Sequence, residues 1–317
     1  MSMRAFAVDE FGTTGSIHQL PIPEPSTGEI LVTVHAAGVN VMDPLYVAGM
    51  LKDYMEHRFP LVPGIDFAGV VERVGPEIER FAAGDLVYGI NSKPFVGAGT
   101  FAESVVVSVE SAAPKPETLD YAQAASVPHV GLTALAAVDQ ADPQPGQTIV
   151  VVGATGGVGS FVTQLAAARG ATVVALTTAS GAAQAREYGA AETIDYQAGD
   201  VAAALLDRYP DGVDAIISAH GDVDVVAGIA GALRRGGMVV SPAMRADAAN
   251  AALQPLGVPF KSANRLPPAR LPELTALIDG GQLRVPPITD YSLEATPEAL
   301  KAMSAGHVRG KLVIRIR

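Results

Sequence analysis

The chain has no cysteine in its 317 residues. That excludes a disulfide framework, a thiolate nucleophile and any metal site built on cysteine. Basic residues are few and dispersed: 22 Lys and Arg stand against 33 Asp and Glu, a formal net charge of −11, with no lysine/arginine block. A nucleic-acid or anionic-membrane partner is not expected of such a surface. No uncharged apolar run reaches the roughly 18 residues of a membrane span, and residues 1–11 carry Arg4, Asp9 and Glu10 where a secretion signal would be apolar. The expectation is a soluble protein of the cytoplasm. Internal repeats and low-complexity tracts are also missing, apart from a bias toward alanine. What is present is 49% hydrophobic, enough for two ordinary cores.

Before about residue 115, short β-rich runs such as "EILVTVHAAG", "FAGVVERVG" and "TFAESVVVS" are separated by Gly and Pro, which reads as an irregular, mostly β domain. From about residue 121, alanine-rich helical stretches alternate with buried strands: "QTIVVVGA", "FVTQLAAARG", "TVVALTT", "VDAIISA" and "MVVSPA". Strand and helix alternating at this pitch imply α/β structure, a parallel sheet covered on both faces. A Pro-rich segment near residue 267 leads to a helix and a final alternating strand, "KLVIRIR". The segments predicted are 1–122, 123–265 and 266–317, the last read as returning to the first domain, with a final strand of the second as the alternative.

The stretch 150–159, "VVVGATGGVG", lies between a β-branched run ending at Val152 and a helix-like segment, Ser160 to Arg169, closed by Gly170. Aligned to the dinucleotide fingerprint G-x-G-x-x-G, it reads Ala154, Thr155, Gly156, Gly157, Val158, Gly159, with alanine for the first glycine. Gly156 would let the backbone approach a pyrophosphate at the helix N-terminus, and Gly159 would let the helix pack closely on the sheet. A second strand, Thr172 to Leu176, completes the βαβ unit that gives the motif its meaning. At that strand's end, where an NAD enzyme presents Asp or Glu to the ribose, stand Thr177, Thr178 and Ser180, with no carboxylate before Glu187. Hydroxyls there, with Arg186 and Tyr196 within reach, favour NADP(H) over NAD(H), although the same arm also reads as a plain polar loop. Ala219, Gly221 and Ser241 fall at later strand ends, beside Val152, Gly153 and His220, and are expected to neighbour the cofactor.

Segments in order along nearly the whole chain resemble the zinc-free medium-chain dehydrogenases/reductases of the quinone oxidoreductase (zeta-crystallin-like) group: "GEILVTVHAAGVNVMDPLYVAG", "PLVPGIDFAGVVERVG", "FAAGDLVYG", "GTFAESVVV", "ASVPHVGLTAL", "IVVVGATGGVGSFVTQLAAARGATVVA", "YGAAETIDY" and "GHVRGKLVI". The resemblance implies a Rossmann domain, a doubly wound parallel sheet, inserted in a mostly β GroES-like catalytic domain, with the active site in the cleft between them. It also implies a homodimer joined through Rossmann edge strands, for which "GVPFKSA" is the candidate.

Against the zinc-dependent relatives of that superfamily, the usual zinc cysteine is Asn40, the usual His-Glu pair is Ile65-Asp66, and the third ligand position falls near Ser126. The four-cysteine structural lobe is absent as well, since "YGINSKPFVGAGTFAE" runs almost directly from strand to strand. No metal is expected. Without a Lewis acid to hold an alkoxide, reduction of an electrophilic acceptor fits better than oxidation of simple alcohols. The expected chemistry is hydride transfer to a quinone or conjugated enone, with the protein positioning the two rings. Tyr46 or solvent would supply the proton, Asn40 would donate a hydrogen bond to acceptor or cofactor, and Asp43 stands with them. Loop capping is the plain alternative for Asn40 and Asp43, and core packing for Tyr46.

Tyr54 and His57 are candidates to shape the acceptor pocket, or to be a solvated loop; His129 is a candidate to approach substrate, or to be a satisfied interdomain histidine. His307 and Arg309 would reach the cofactor from the tail or lie on the surface. A short-chain dehydrogenase is disfavoured because Tyr188 and Tyr196 are followed four residues on by Glu192 and Asp200, not lysine. Two rivals stay open: a conjugated enone or 2-enoyl reductase, and a non-catalytic NADPH-binding sensor or structural protein.

Overall fold

The computed structural model describes residues 1–306 and 308–317, which divide into two compact units. Unit 1 is 1–129, 267–280 and 287–317; unit 2 is 130–266 and 281–286. The sequence placed its divisions at 122/123 and 265/266. The difference at the first lies in the segment containing α2 and the start of the helix that follows it.

Unit 1 begins with β1 (Ser2–Ala7), β2 (Ser16–Pro21), β3 (Glu29–Val39), α1 (Met42–Val47), β4 (Glu56–Val62), β5 (Asp66–Val74), β6 (Leu86–Ile90), β7 (Phe95–Ala98), β8 (Ser104–Ser108), β9 (Ala112–Pro114) and α2 (Tyr121–Ala125). Helix α3 (Pro128–Ala141) carries the chain onward. Unit 2 contains β10 (Thr148–Val152), α4 (Gly157–Ala168), β11 (Thr172–Thr177), α5 (Ala182–Glu187), β12 (Glu192–Asp195), α6 (Val201–Arg208), β13 (Val213–Ser218), α7 (Val223–Ile229), β14 (Leu233–Ser241), α8 (Ala246–Leu253) and β15 (Phe260–Ser262). The tail supplies α9 (Leu271–Asp279), β16 (Ile288–Ser292), α10 (Thr296–Ala305) and β17 (Lys311–Arg315).

In unit 2 the strands pair in parallel in the order β12-β11-β10-β13-β14-β15. The order reverses between β10 and β13, the switch point where doubly wound sheets collect ligands at their carboxyl ends. Ile149, Val150 and Val151 are consecutive and all but fully buried, as a strand covered on both faces requires. One face packs Val150, Val174, Ile216 and Val239 against Leu205, Val226 and Leu253 of α6, α7 and α8.

In unit 1 the order is β16-β17-β3-β5-β6-β9, with β8 also pairing β3. The last strand, β17, lies antiparallel to β3, Leu312 opposite Val39. This pairing brings the C-terminal segment beside the loop that follows β3. Phe6, Leu61, Phe101, Val39 and Ile314 pack into the core beneath that loop. Among the described residues no helix is long and apolar enough to cross a membrane.

Candidate active site

The glycine turn of unit 2 is open where a ligand would need it and closed where the helix needs it. Gly153 has φ +77° and leads into Gly156, the N-cap of the 12-residue α4, whose first turn has no side-chain cap. The leading N–H groups of a helix have no intrahelical acceptor, so this end offers donors and the positive end of the dipole. A Cβ on Gly156 would meet only Gly153 O, at 3.4 Å, whereas one on Gly159 would lie 2.1 Å from the same oxygen. Gly156 therefore keeps backbone accessible, and Gly159 lets α4 pack against the turn. Ala154, in the first glycine's place, is fully buried, while Thr155, Gly157 and Val158 are partly exposed. These residues fit a dinucleotide's pyrophosphate.

Around the carboxyl edge, Ala219 N donates to Val152 O at 3.1 Å, and Gly221 lies against Ala243. Ser241 is fully buried and its hydroxyl is committed: it donates to Ser218 O at 2.7 Å and accepts from Ala243 N and Met244 N, both at 3.1 Å. Ser241 thus ties the end of β14 to that of β13. On the other side, Thr177 is buried with Oγ1 3.4 Å from that of Thr155, while Thr178 Oγ1 and Ser180 Oγ are 3.0 Å apart. Tyr196 is exposed just past β12. A carboxylate does reach this arm, from a strand further along: Asp195 pairs in register with Thr177, and its Oδ2 accepts from Ala179 N at 3.1 Å. Arg186 donates to Thr193 Oγ1 at 3.0 Å.

In unit 1, Asn40, Asp43, Asp66 and Lys311 form one buried network. Lys311 Nζ donates to Asn40 Oδ1 at 2.7 Å and Val39 O at 2.8 Å, and lies 3.9 Å from Asp66 Oδ2. Asn40 Nδ2 donates to Asp66 Oδ2 at 3.1 Å, and Asp66 Oδ1 accepts from His129 N at 3.0 Å. Asp43 accepts from Asn40 N at 2.7 Å and Gly64 N at 3.1 Å, which fixes the start of α1 against the β4–β5 connection. Burial pushes the Asp43 carboxyl up to about 7, even though these N–H donors and Lys311 pull it down. Burial likewise lowers the Lys311 ammonium from its ordinary value, opposed by Asp66 and Asp43.

Tyr46, half-buried on α1, meets the His57 ring edge-on with centroids 6.3 Å apart, and Phe11 stacks edge-on against His57 at 5.2 Å. His57 Nδ1 is 2.9 Å from Met55 O, and its buried Nε2 has no hydrogen-bond partner among the described residues. Tyr54 is 82% exposed, so it stands apart from that cluster. His307 lies outside the described residues.

Residues 26–117 match the alcohol dehydrogenase GroES-like domain family and residues 188–314 the zinc-binding dehydrogenase family. The solved quinone oxidoreductase from Coxiella burnetii superposes with a TM-score of 0.88 at 30% identity, over the full length of both chains. The chain is a zinc-independent medium-chain dehydrogenase/reductase of the quinone oxidoreductase-like family. It is also 29% identical to a chloroplastic quinone oxidoreductase, QR1, of Triphysaria versicolor over 98% of each chain. To 2-methylene-furan-3-one reductase of Solanum lycopersicum it is 28% identical over 98% of this chain and 79% of that one.

As a quinone oxidoreductase-like protein, the chain combines a Rossmann-type NAD(P)-binding unit with a GroES-like one. Asn40, in the place of the zinc cysteine, and Asp66, the second residue of the Ile65-Asp66 pair that replaces His-Glu, here face the Lys311 ammonium. Ser126, near the third ligand position, is buried and donates to Gln123 O at 2.6 Å. Lys311 and Asp195 are the residues that sequence reasoning missed. Alternation gave no signal for Lys311: in "KLVIRIR" it shares a face with Arg315 and Arg317, and its burial comes from the tertiary fold.

Proposed function

We propose that the protein is a reductase that passes hydride from NADPH or NADH to a quinone or a similar electrophilic acceptor without a metal. The observation that carries this is the uncapped N-terminus of α4 behind an accessible Gly156, at the switch point of a six-stranded parallel sheet. When bound there, the reduced nicotinamide dinucleotide supplies the hydride. The α4 N–H groups would hold its pyrophosphate, and the hydroxyls of Thr177, Thr178 and Ser180 would face its adenosine ribose.

In unit 1, Asn40 has both ends of its amide committed to Lys311 and Asp66, so its part is to hold the loop bearing α1. Tyr46, on the same α1, would then be the side chain that supplies a proton to the acceptor. Quinones need little acid help, because the charge that develops is delocalised over the ring. An enone needs more, and the likeness to a tomato furanone reductase supports enone reduction as the second reading. A homodimer is proposed through β15, which has β14 as its sheet neighbour on one side and an open edge on the other; sedimentation at twice the 32.5 kDa chain mass is the check. A cytoplasmic setting is proposed with it.

The decisive experiment follows NADPH and NADH oxidation against quinones and conjugated enones with chelator present. Chelator-resistant quinone turnover is expected. Preference for enones would move the assignment to ene reduction, and nucleotide binding without turnover of either class would make the protein a sensor or structural binder.

A further inference from the structure

We propose that Asp195 sets the choice between the two nicotinamide dinucleotides, opposing the 2′-phosphate so that NADH is accepted alongside NADPH. The inference rests on the cofactor reading above and adds a residue to it. In a βαβ dinucleotide unit the adenosine ribose is met at the carboxyl end of the second strand, here β11, which ends at Thr177. The arm that follows, Thr178 to Ser180, is hydroxyl-rich and carries no acid of its own.

Parallel pairing changes the electrostatics of that arm. Asp195, the last residue of β12, stands in register with Thr177, and its carboxylate accepts from Ala179 N at 3.1 Å and from Gln197 N at 2.9 Å. The side chain is thereby anchored to the arm's own backbone and not left to swing into solvent. Among the described residues none of the ion pairs involves Asp195, and Arg186, the arm's nearest cation in sequence, donates to Thr193 Oγ1. Residues 177–200 hold one arginine against four carboxylates. A 2′-hydroxyl meets this arrangement without penalty, whereas a phosphate monoester near a double negative charge is repelled by it. The repulsion acts across a partly exposed site, so salt screens it.

The test is calorimetric, with 2′,5′-ADP, 5′-ADP, NADPH and NADH titrated into the intact protein. The wild type is expected to bind NADH and NADPH within about tenfold of each other. Asp195→Asn, which keeps one of the two acceptor oxygens that take Ala179 N and Gln197 N, should tighten 2′,5′-ADP and NADPH about tenfold while leaving 5′-ADP and NADH within about twofold, and the gain should shrink as salt rises toward about 0.5 M. Should Asp195→Asn loosen the arm, Ala179→Arg places a cation at an exposed neighbouring position with Asp195 intact, and the same selective tightening is expected. Unchanged ratios in Asp195→Asn with 5′-ADP binding preserved, or a wild type already selective for NADPH by about a hundredfold, overturn the role of Asp195 while leaving the cofactor site standing. Failure of all four nucleotides to bind the wild type overturns the cofactor reading itself, and with it this one.

Discussion

Lys311 Nζ, at the start of the last strand, lies 2.7 Å from Asn40 Oδ1, one residue past the end of the third. Both side chains are buried, and the same ammonium lies 3.9 Å from Asp66. Removing the cation would leave Asp66 and Asp43 buried without a countercharge, a defect that costs about 3–5 kcal/mol. Lys311→Met is therefore expected to unfold at clearly lower urea concentration than the wild type. Adding Asp66→Asn should restore part of the loss, because the pair is coupled and its effects do not add. Equal stability of Lys311→Met and wild type would show that the ammonium contributes nothing there.

That relationship also shows where legibility in the sequence ended. The dinucleotide unit was legible because its parts are contiguous: β-branched residues to Val152, the glycine turn, then helix composition through Arg169. Each element announces itself by local propensity and period. Asn40 and Lys311 stand 271 residues apart, and only the β3–β17 pairing joins them. Asp195 was passed over for the same reason. Scanning forward from Thr177 finds no carboxylate in the arm, yet the next parallel strand sets one beside it. Contiguous motifs survive reading in one dimension; sheet neighbours do not.

Asp43 should give stability a pH dependence of a definite sign. Its folded carboxyl is raised to about 7 from 3.8, so between those values the folded state holds the proton more tightly than the unfolded chain does. Stability contributed by this group is present at low pH, falls as pH rises from about 4 to about 7, and is flat beyond. Urea midpoints of wild type and Asp43→Asn, compared across that window, should differ in slope; a constant offset alone would fix only the value of the hydrogen bonds to Asn40 N and Gly64 N.

The two fingerprint glycines should separate folding from binding. A Cβ at Gly159 would clash with Gly153 O, so Gly159→Ala should lose both thermal stability and nucleotide binding. Gly156 has φ −78° and its Cβ would meet Gly153 O at 3.4 Å, close to an ordinary contact, so Gly156→Ala should stay within about 1 kcal/mol of wild-type stability. Its methyl group would nonetheless stand where a pyrophosphate must approach, and NADPH affinity should fall by about tenfold or more. If Gly156→Ala binds as well as the wild type, the turn is structural and the nucleotide sits elsewhere.

Tyr46 provides the means to distinguish the two acceptor classes. It sits on α1 three residues after Asp43, on a helix that the Asn40–Asp43 and Asp43–Gly64 hydrogen bonds hold in place, and its ring packs against His57. Tyr46→Phe keeps the ring and its packing while deleting the hydroxyl, so folding should be preserved. A lost proton donor lowers turnover by about 10²-fold where the acceptor depends on acid help. That dependence belongs to enones far more than to quinones, whose reduced oxygen is delocalised and protonated readily by water. The expected result is a large fall in enone kcat with quinone kcat within a few-fold of wild type. A uniform fall for both classes would mean that Tyr46 positions the acceptor and that the proton arrives by another route.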